Sequence, residues 1–357
     1  MKLTALLTGA SIALLSLPAE AETLYLTAGK FVDPVTAETV NRPVFVIEDG
    51  VITARGTANK LRKPSGSTSI DLKNATLVPG FIDMHTHLTS DPAYFSLSFS
   101  DERQAITGVK NARKTLLAGF TTVRNVGASS YSDVALRDAI NEGDVPGPRM
   151  YVSGPPVGIL GGHCSDTNLL PSAHGTIGIK NAILAGIDTI EHASILDEDT
   201  IRLAKENGTY LSMDIYNTEY TLAEGEKNGV LEESLAKERA ISKIQRDSFT
   251  AAVKAGVKVV FGSDSGVYPH GDNGNQFSRM VNLGMTPMQA IQAATSLSAE
   301  ALGKTGELGC GDVGCRADFI AVDSDPLADI SALEDVDFVM KDGTVYKRDG
   351  KPQVSIY

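Results

Sequence analysis

Two histidines two residues apart, His85 and His87, close the run Gly80-Phe81-Ile82-Asp83-Met84-His85-Thr86-His87-Leu88. Phe81, Ile82 and Met84 make the run read as a short strand, on which alternate side chains share a face, so the two imidazoles converge on one small volume. That is a two-nitrogen claw for a divalent metal, with zinc, iron, nickel and cobalt suiting imidazole. Two more polar groups end apolar runs: His192 after Asp188-Thr189-Ile190-Glu191, and Asp264 after Val259-Val260-Phe261-Gly262-Ser263. Imidazoles with one carboxylate, and a position left for water, suit a metal that activates water for hydrolysis. Asp264 has a second job open to it, since a carboxylate beside an activated water can take its proton and later deliver it to a leaving amine. Taken alone, Asp264 reads equally as a helix N-cap after a Gly-Ser turn, and His192 equally as a core histidine. The neighbouring His pair favours the ligand reading for Asp264.

Around this set lie candidates for substrate contact. His163 sits in Gly161-Gly162-His163-Cys164, where the glycines let backbone approach a ligand closely; an exposed loop histidine is an equal reading. Asp214 and Tyr216 stand at the end of an expected strand over residues 211–215, and Tyr268 and His270 belong to a polar loop that follows Asp264. All could face one mouth.

The elements that must position these groups repeat one pattern between residue 80 and about residue 303. A helical period, a glycine, an apolar strand and a polar loop recur at 101–118 before 120–123, at 183–186 before 187–190, and at 253–256 before 257–261. This is the unit of a parallel sheet with crossover helices, and polar groups at strand C-terminal ends make it an α/β barrel of the triosephosphate-isomerase type. Six strands are recognisable, over 80–85, 120–125, 149–153, 188–192, 209–215 and 257–263, where such a barrel has eight. Residues 154–174 are rich in glycine and proline and offer neither strand nor helix, so an incomplete or open barrel is expected. Both chain ends have a different texture. Short β-branched segments at 23–28, 43–47, 51–55 and 69–72, and again at 317–322, 336–341 and 344–347, include Asp49-Gly50 and Asp342-Gly343 hairpin signals. They predict one small β-sandwich from 22–78 plus 307–357, with the barrel over 79–306.

The chain has 357 residues and a net charge of −12 with no basic block, which argues against a nucleic-acid partner or an anionic membrane surface. Lys2, an apolar run over 3–17 and Pro18-Ala19-Glu20-Ala21 read as a cleavable secretory signal over 1–21, giving an exported protein, periplasmic or extracellular, with no membrane attachment after cleavage. Cys310 and Cys315 flank Gly-Asp-Val-Gly and could close a short disulfide loop in an oxidising compartment; Cys164 is left over.

Gly80 to Leu88, Glu191-His192-Ala193-Ser194 and Gly262-Ser263-Asp264-Ser265-Gly266 resemble the metal-binding motifs of the amidohydrolase superfamily, in its imidazolonepropionase-like branch. Met213-Asp214-Ile215-Tyr216-Asn217 and the loop from Gly266 to Asn273 resemble, more narrowly, exported Xaa-Pro dipeptidase (prolidase-like) members. The resemblance covers nearly the whole mature chain. It implies hydrolysis of a C–N bond in a dipeptide or N-acyl amino acid, with one or two metals at the top of an eight-stranded barrel. The family pattern also has a strand with a carboxylated lysine that bridges two metals, then a strand ending in His-Ala-His-Gly. Here Leu169-Leu170-Pro171 runs directly into Ser172-Ala173-His174-Gly175. By that alignment the lysine has no counterpart, Ser172 replaces the first histidine, and His174 is the second. Two strand-helix units, about seventy residues, are then absent. The implied site holds one zinc ion rather than two, on His85, His87 and Asp264, with His192 or His174 as a further ligand; His163, Tyr216, Tyr268 and His270 hold substrate. Two rival expectations follow: a remnant that binds metal without catalysis, and a partial barrel that completes itself as a homo-oligomer.

Overall fold

The structure is a computed structural model that describes residues 23–94, 100–155 and 175–353. The expected signal over 1–21, and with it His163, Cys164 and His174, lie outside the described residues.

Six parallel strands position the site. They are Phe81–Thr86, Phe120–Asn125, Arg149–Val152, Thr189–Glu191, Tyr210–Ser212 and Val259–Val260, in two three-stranded sheets. Phe81–Thr86 is buried along its whole length, as a strand covered on both faces must be. The sheets meet along a seam where Met84 N–H donates to Phe261 O, Asp264 N–H to His85 O and His87 N–H to Ser265 O, each at 2.8 Å. Across the seam the strands therefore run third, second, first, sixth, fifth, fourth. Among the described residues the third and fourth strands are the outer ones.

Crossover helices begin and end on local chemistry. Ser100 caps the helix Asp101–Leu117 by accepting from Arg103 N–H, Asp101 and Glu102 lie in its first turn, and Gly119 turns the chain at φ 97° into the second strand. Asp197 caps Glu198–Asn207 in the same way, and Gly208 and Gly256 end their helices in the left-handed conformation. Beneath the site, the rings of Phe81, Phe120, Phe261 and Phe277 pack at centroid distances of 4.8–5.3 Å and tie the first, second and sixth strands to the helix Gln276–Asn282.

The chain ends meet in two other sheets. One has seven strands and joins Lys30–Asp33, Glu38–Asn41 and Thr76–Pro79 to four strands from the C-terminal end; the other has four strands, all from residues 24–71. A single hydrophobic cluster, with Phe31, Phe45, Phe319 and Phe338, is shared between them. Cys310 and Cys315 are disulfide-bonded within it.

Two expected spans differ from those observed. The strand expected over 209–215 stops at Ser212, and Ile215 already opens the helix Ile215–Glu224, so Tyr216 stands on the first turn of a helix. The strand expected over 257–263 pairs regularly only at Val259 and Val260, because beyond Phe261 the backbone bends toward Asp264, whose φ is 57°. No helix among the described residues is long and apolar enough to cross a membrane.

Candidate metal centre

His85 and His87 leave the first strand beside Asp264, and both point a ring nitrogen at one carboxylate oxygen. His85 Nε2 lies 3.3 Å and His87 Nε2 3.2 Å from Asp264 Oδ1. The opposite nitrogens are committed to acceptors: His85 Nδ1 meets Glu191 Oε2 at 2.8 Å, and His87 Nδ1 meets the carbonyl of Gly127 at 3.3 Å. A carbonyl, like an ionised carboxylate, can only accept, so each Nδ1 carries a hydrogen and each ring turns its other nitrogen, Nε2, to Asp264. His85 Nε2 is buried without a hydrogen bond. Two imidazole nitrogens and an anionic oxygen at this distance repel as lone pairs unless a positive charge, a proton or a metal ion, lies between them. The donor set therefore fits a divalent cation, with His85, His87 and Asp264 able to hold it.

The electrostatics make the same demand. Burial opposes charge on every one of these groups, yet Asp264 and Glu191 outweigh it at His85, whose imidazole is held well above its usual range. The His85 and His87 imidazoles beside it likewise overcome burial at Asp264 and hold its carboxyl well below the ordinary range. Glu191 follows the same balance: burial would raise it, but His85 and the Arg124 guanidinium bring it down to about 2.

The second oxygen of Asp264 faces a different neighbourhood. Asn217 Nδ2 donates to Asp264 Oδ2 at 2.8 Å and also to Asp214 Oδ2. Asp214 Oδ1 in turn lies 2.9 Å from His192 Nδ1. His192, Asp214 and Asp264 form a second group whose ligand atoms lie within 4.8 Å of one another. The His192 ring stands 4.7 Å from that of His85. His192, Ala193 and Asp264 all have left-handed backbone, φ 64°, 45° and 57°, a conformation that non-glycine residues adopt rarely and that clusters at functional sites.

Glycine makes room for this geometry at the seam. A Cβ on Gly266, where φ is 118°, would stand 2.8 Å from both the Cβ and the carbonyl oxygen of His87.

Of the substrate-contact candidates, Tyr216 lies near the group and partly exposed, its hydroxyl accepting from Asn275 Nδ2 at 3.3 Å and its face covered by Arg279 at 4.8 Å. Tyr268 is fully buried, with its ring against Tyr216 at 4.8 Å and its hydroxyl without a hydrogen bond. His270 is buried too, between Thr115 Oγ1 at 3.3 Å and the carbonyl of His87 at 3.2 Å. Burial pushes its imidazole down to about 4. Tyr268 and His270 thus touch protein on the sides described.

Four participants escape a reading of ligand types alone: Asp83, Arg124, Glu191 and Asn217. Asp83 is fully buried, accepts from His85 N–H at 3.2 Å, Ser263 N–H at 3.0 Å and Asn273 Nδ2 at 2.9 Å, and so pins the backbone beside two ligands; burial pushes it up to about 6 against those bonds. Asp83 and Arg124 were visible as charges inside apolar strands, where an ionised side chain needs a partner.

A sequence profile of the amidohydrolase family matches residues 76–171 and 163–346. The chain belongs to the amidohydrolase family. This amidohydrolase is 26% identical to ochratoxinase of Aspergillus niger over a 434-position alignment that takes in 93% of this chain and 88% of that protein. Among solved structures it is similar to an Xaa-Pro dipeptidase with methionine bound in its active site, with TM-score 0.84, 31% identity, and 91% of this chain and 100% of that one covered. It shares its fold with a putative prolidase from Bifidobacterium longum, with TM-score 0.79, 24% identity, and 93% and 96% covered.

Proposed function

We propose that this amidohydrolase hydrolyses an amide bond of a small substrate, an Xaa-Pro dipeptide or an N-acyl amino acid, using one zinc ion on His85, His87 and Asp264. The observation that carries the reading is the convergence of two imidazole Nε2 atoms on Asp264 Oδ1, with both Nδ1 atoms already committed to acceptors. The substrate class is supported by likeness to an Xaa-Pro dipeptidase and to ochratoxinase. When bound, such a metal polarises the scissile carbonyl and acidifies water. His85 and His87 bind through Nε2 and Asp264 through Oδ1. Asp264 Oδ2 keeps a lone pair beyond the one used by Asn217, and it is this oxygen that takes the proton of the attacking water and delivers it to the leaving nitrogen. His163, Tyr216, Tyr268 and His270 hold the substrate, and His192 or His174 would serve as a further ligand.

The six parallel strands read as an incomplete barrel over 79–306, and the two end sheets as a sandwich over 22–78 plus 307–357. The ochratoxinase alignment runs over 434 positions while using 93% of a 357-residue chain, so about 100 positions have no residue here. The two profile segments meet at 163–171, where the resemblance puts the missing strands. Export is supported by the disulfide, and an open sheet by itself favours assembly as a homo-oligomer.

Hydrolysis of a panel of Xaa-Pro dipeptides and N-acyl amino acids by the zinc-loaded chain tests the proposal. Turnover that disappears in Asp264→Asn supports it. A zinc-loaded chain without turnover on any member favours the second reading, a metal-binding remnant, for which the missing positions are the specific support.

A further inference from the structure

Arg124 and Glu191 form a bar across the interior of the parallel sheets. Arg124, on the second strand, donates from Nε to Met84 O of the first strand at 2.7 Å, from Nη1 to Thr189 Oγ1 of the fourth at 2.9 Å, and from Nη2 to Glu191 Oε1. Thr189 Oγ1 donates to the same Glu191 oxygen at 3.0 Å. The other oxygen of Glu191 is thereby left for one partner, His85 Nδ1, at 2.8 Å. The second and fourth strands are not neighbours in either sheet, so this bar links the two halves without backbone pairing.

We propose that Glu191, oriented by Arg124, is the positioning residue that makes His85 a metal ligand. The inference rests on the reading of His85, His87 and Asp264 as a cation site. A carboxylate at Nδ1 fixes the tautomer and the orientation of the ring and leaves Nε2 bare, as partners of metal-bound histidines do generally. Glutamine cannot replace it. Arg124 offers only donors, so in Glu191→Gln the new amide satisfies it with its carbonyl and turns its NH2 to His85 Nδ1. His85 must then carry its hydrogen on Nε2, where the metal would bind.

Two readouts on the full-length chain test this: zinc affinity by competition with a chromophoric chelator, and the His85 tautomer by nitrogen-15 NMR, which has only six histidines to assign. Glu191→Gln is expected to lower zinc affinity about 10- to 100-fold and, read at a pH high enough for the metal-free His85 ring to be neutral, to move its hydrogen from Nδ1 to Nε2. A purely structural role would leave the tautomer unchanged. A folded Glu191→Gln protein with wild-type affinity and tautomer overturns the proposal. Arg124→Lys, which keeps the charge but cannot reach all three acceptors, is the second variant, with a several-fold loss of affinity expected. Wild-type affinity in Arg124→Lys overturns the orienting role of Arg124 even if Glu191→Gln does not fold. A wild-type chain that binds no zinc overturns the cation site itself, and this inference with it.

Discussion

The two oxygens of Asp264 face two regions built on opposite principles. On the Oδ1 side, His85 and His87 present Nε2, and nothing among the described residues lies between them and the carboxylate. On the Oδ2 side, Asn217 places one amide nitrogen between Asp264 and Asp214, and Asp214 is matched with His192. The first region is electrostatically incomplete without a positive charge, while the second is bridged by hydrogen bonds. Closeness of ligand types is therefore a poor guide to metal count: both groups bring three ligand atoms within 4.8 Å, yet their hydrogen bonding differs.

Removing a ligand from each side should expose the difference most strongly. His87→Ala is expected to weaken zinc binding about 100-fold or more, whereas Asp214→Asn should change it by less than about tenfold; equal losses would erase the distinction. Affinity by chelator competition decides it. The Oδ1 side should also be acid-sensitive through His270, which holds the carbonyl of His87 while neutral. Its imidazole sits at about 4 in the fold and near 6.5 when unfolded, so in that window the unfolded chain binds the extra proton. The stability it contributes is complete above about pH 6.5 and is lost as pH falls toward 4, by at most about 3 kcal/mol. Urea denaturation of wild type and His270→Gln across that range should show a shallower slope in the variant. On the Oδ2 side, Asn217→Leu leaves two carboxylates without their shared donor and should lower the stability of the metal-free chain by about 1–3 kcal/mol, read as a shift in denaturation midpoint. Gly266→Ala tests the seam, where strain at positive φ and contact with His87 should together destabilise by about 1–3 kcal/mol.

Much of this arrangement is written locally and so can be read locally. The helix over 101–118 and its glycine are observed as Asp101–Leu117 and Gly119, because capping and the freedom of a residue without Cβ act within a few residues. His85 and His87 are legible because period-two alternation puts them on one face, and the motif around Asp264 because its ligand types are few. Cys310 and Cys315 are near enough in sequence to meet. The Arg124–Glu191 bar is illegible, since it joins strands 67 residues apart that share no backbone pairing. The early end of the fifth strand at Ser212 is also illegible. Residues 213–215, Met-Asp-Ile, have the alternation of a strand, and only the tertiary bonds of Asp214 to His192 and Asn217 show the carboxylate turned to the site as the helix begins at Ile215.

The central claim is that Oδ1 of Asp264 needs an ion and Oδ2 does not. The most direct test is the metal retained by the purified chain after zinc loading and removal of free and weakly bound zinc, measured by mass spectrometry for wild type, His87→Ala and Asp214→Asn. The account predicts one tightly bound zinc per chain in wild type and in Asp214→Asn, and none in His87→Ala. Two zinc ions per chain in wild type, with one lost on changing Asp214, would contradict it.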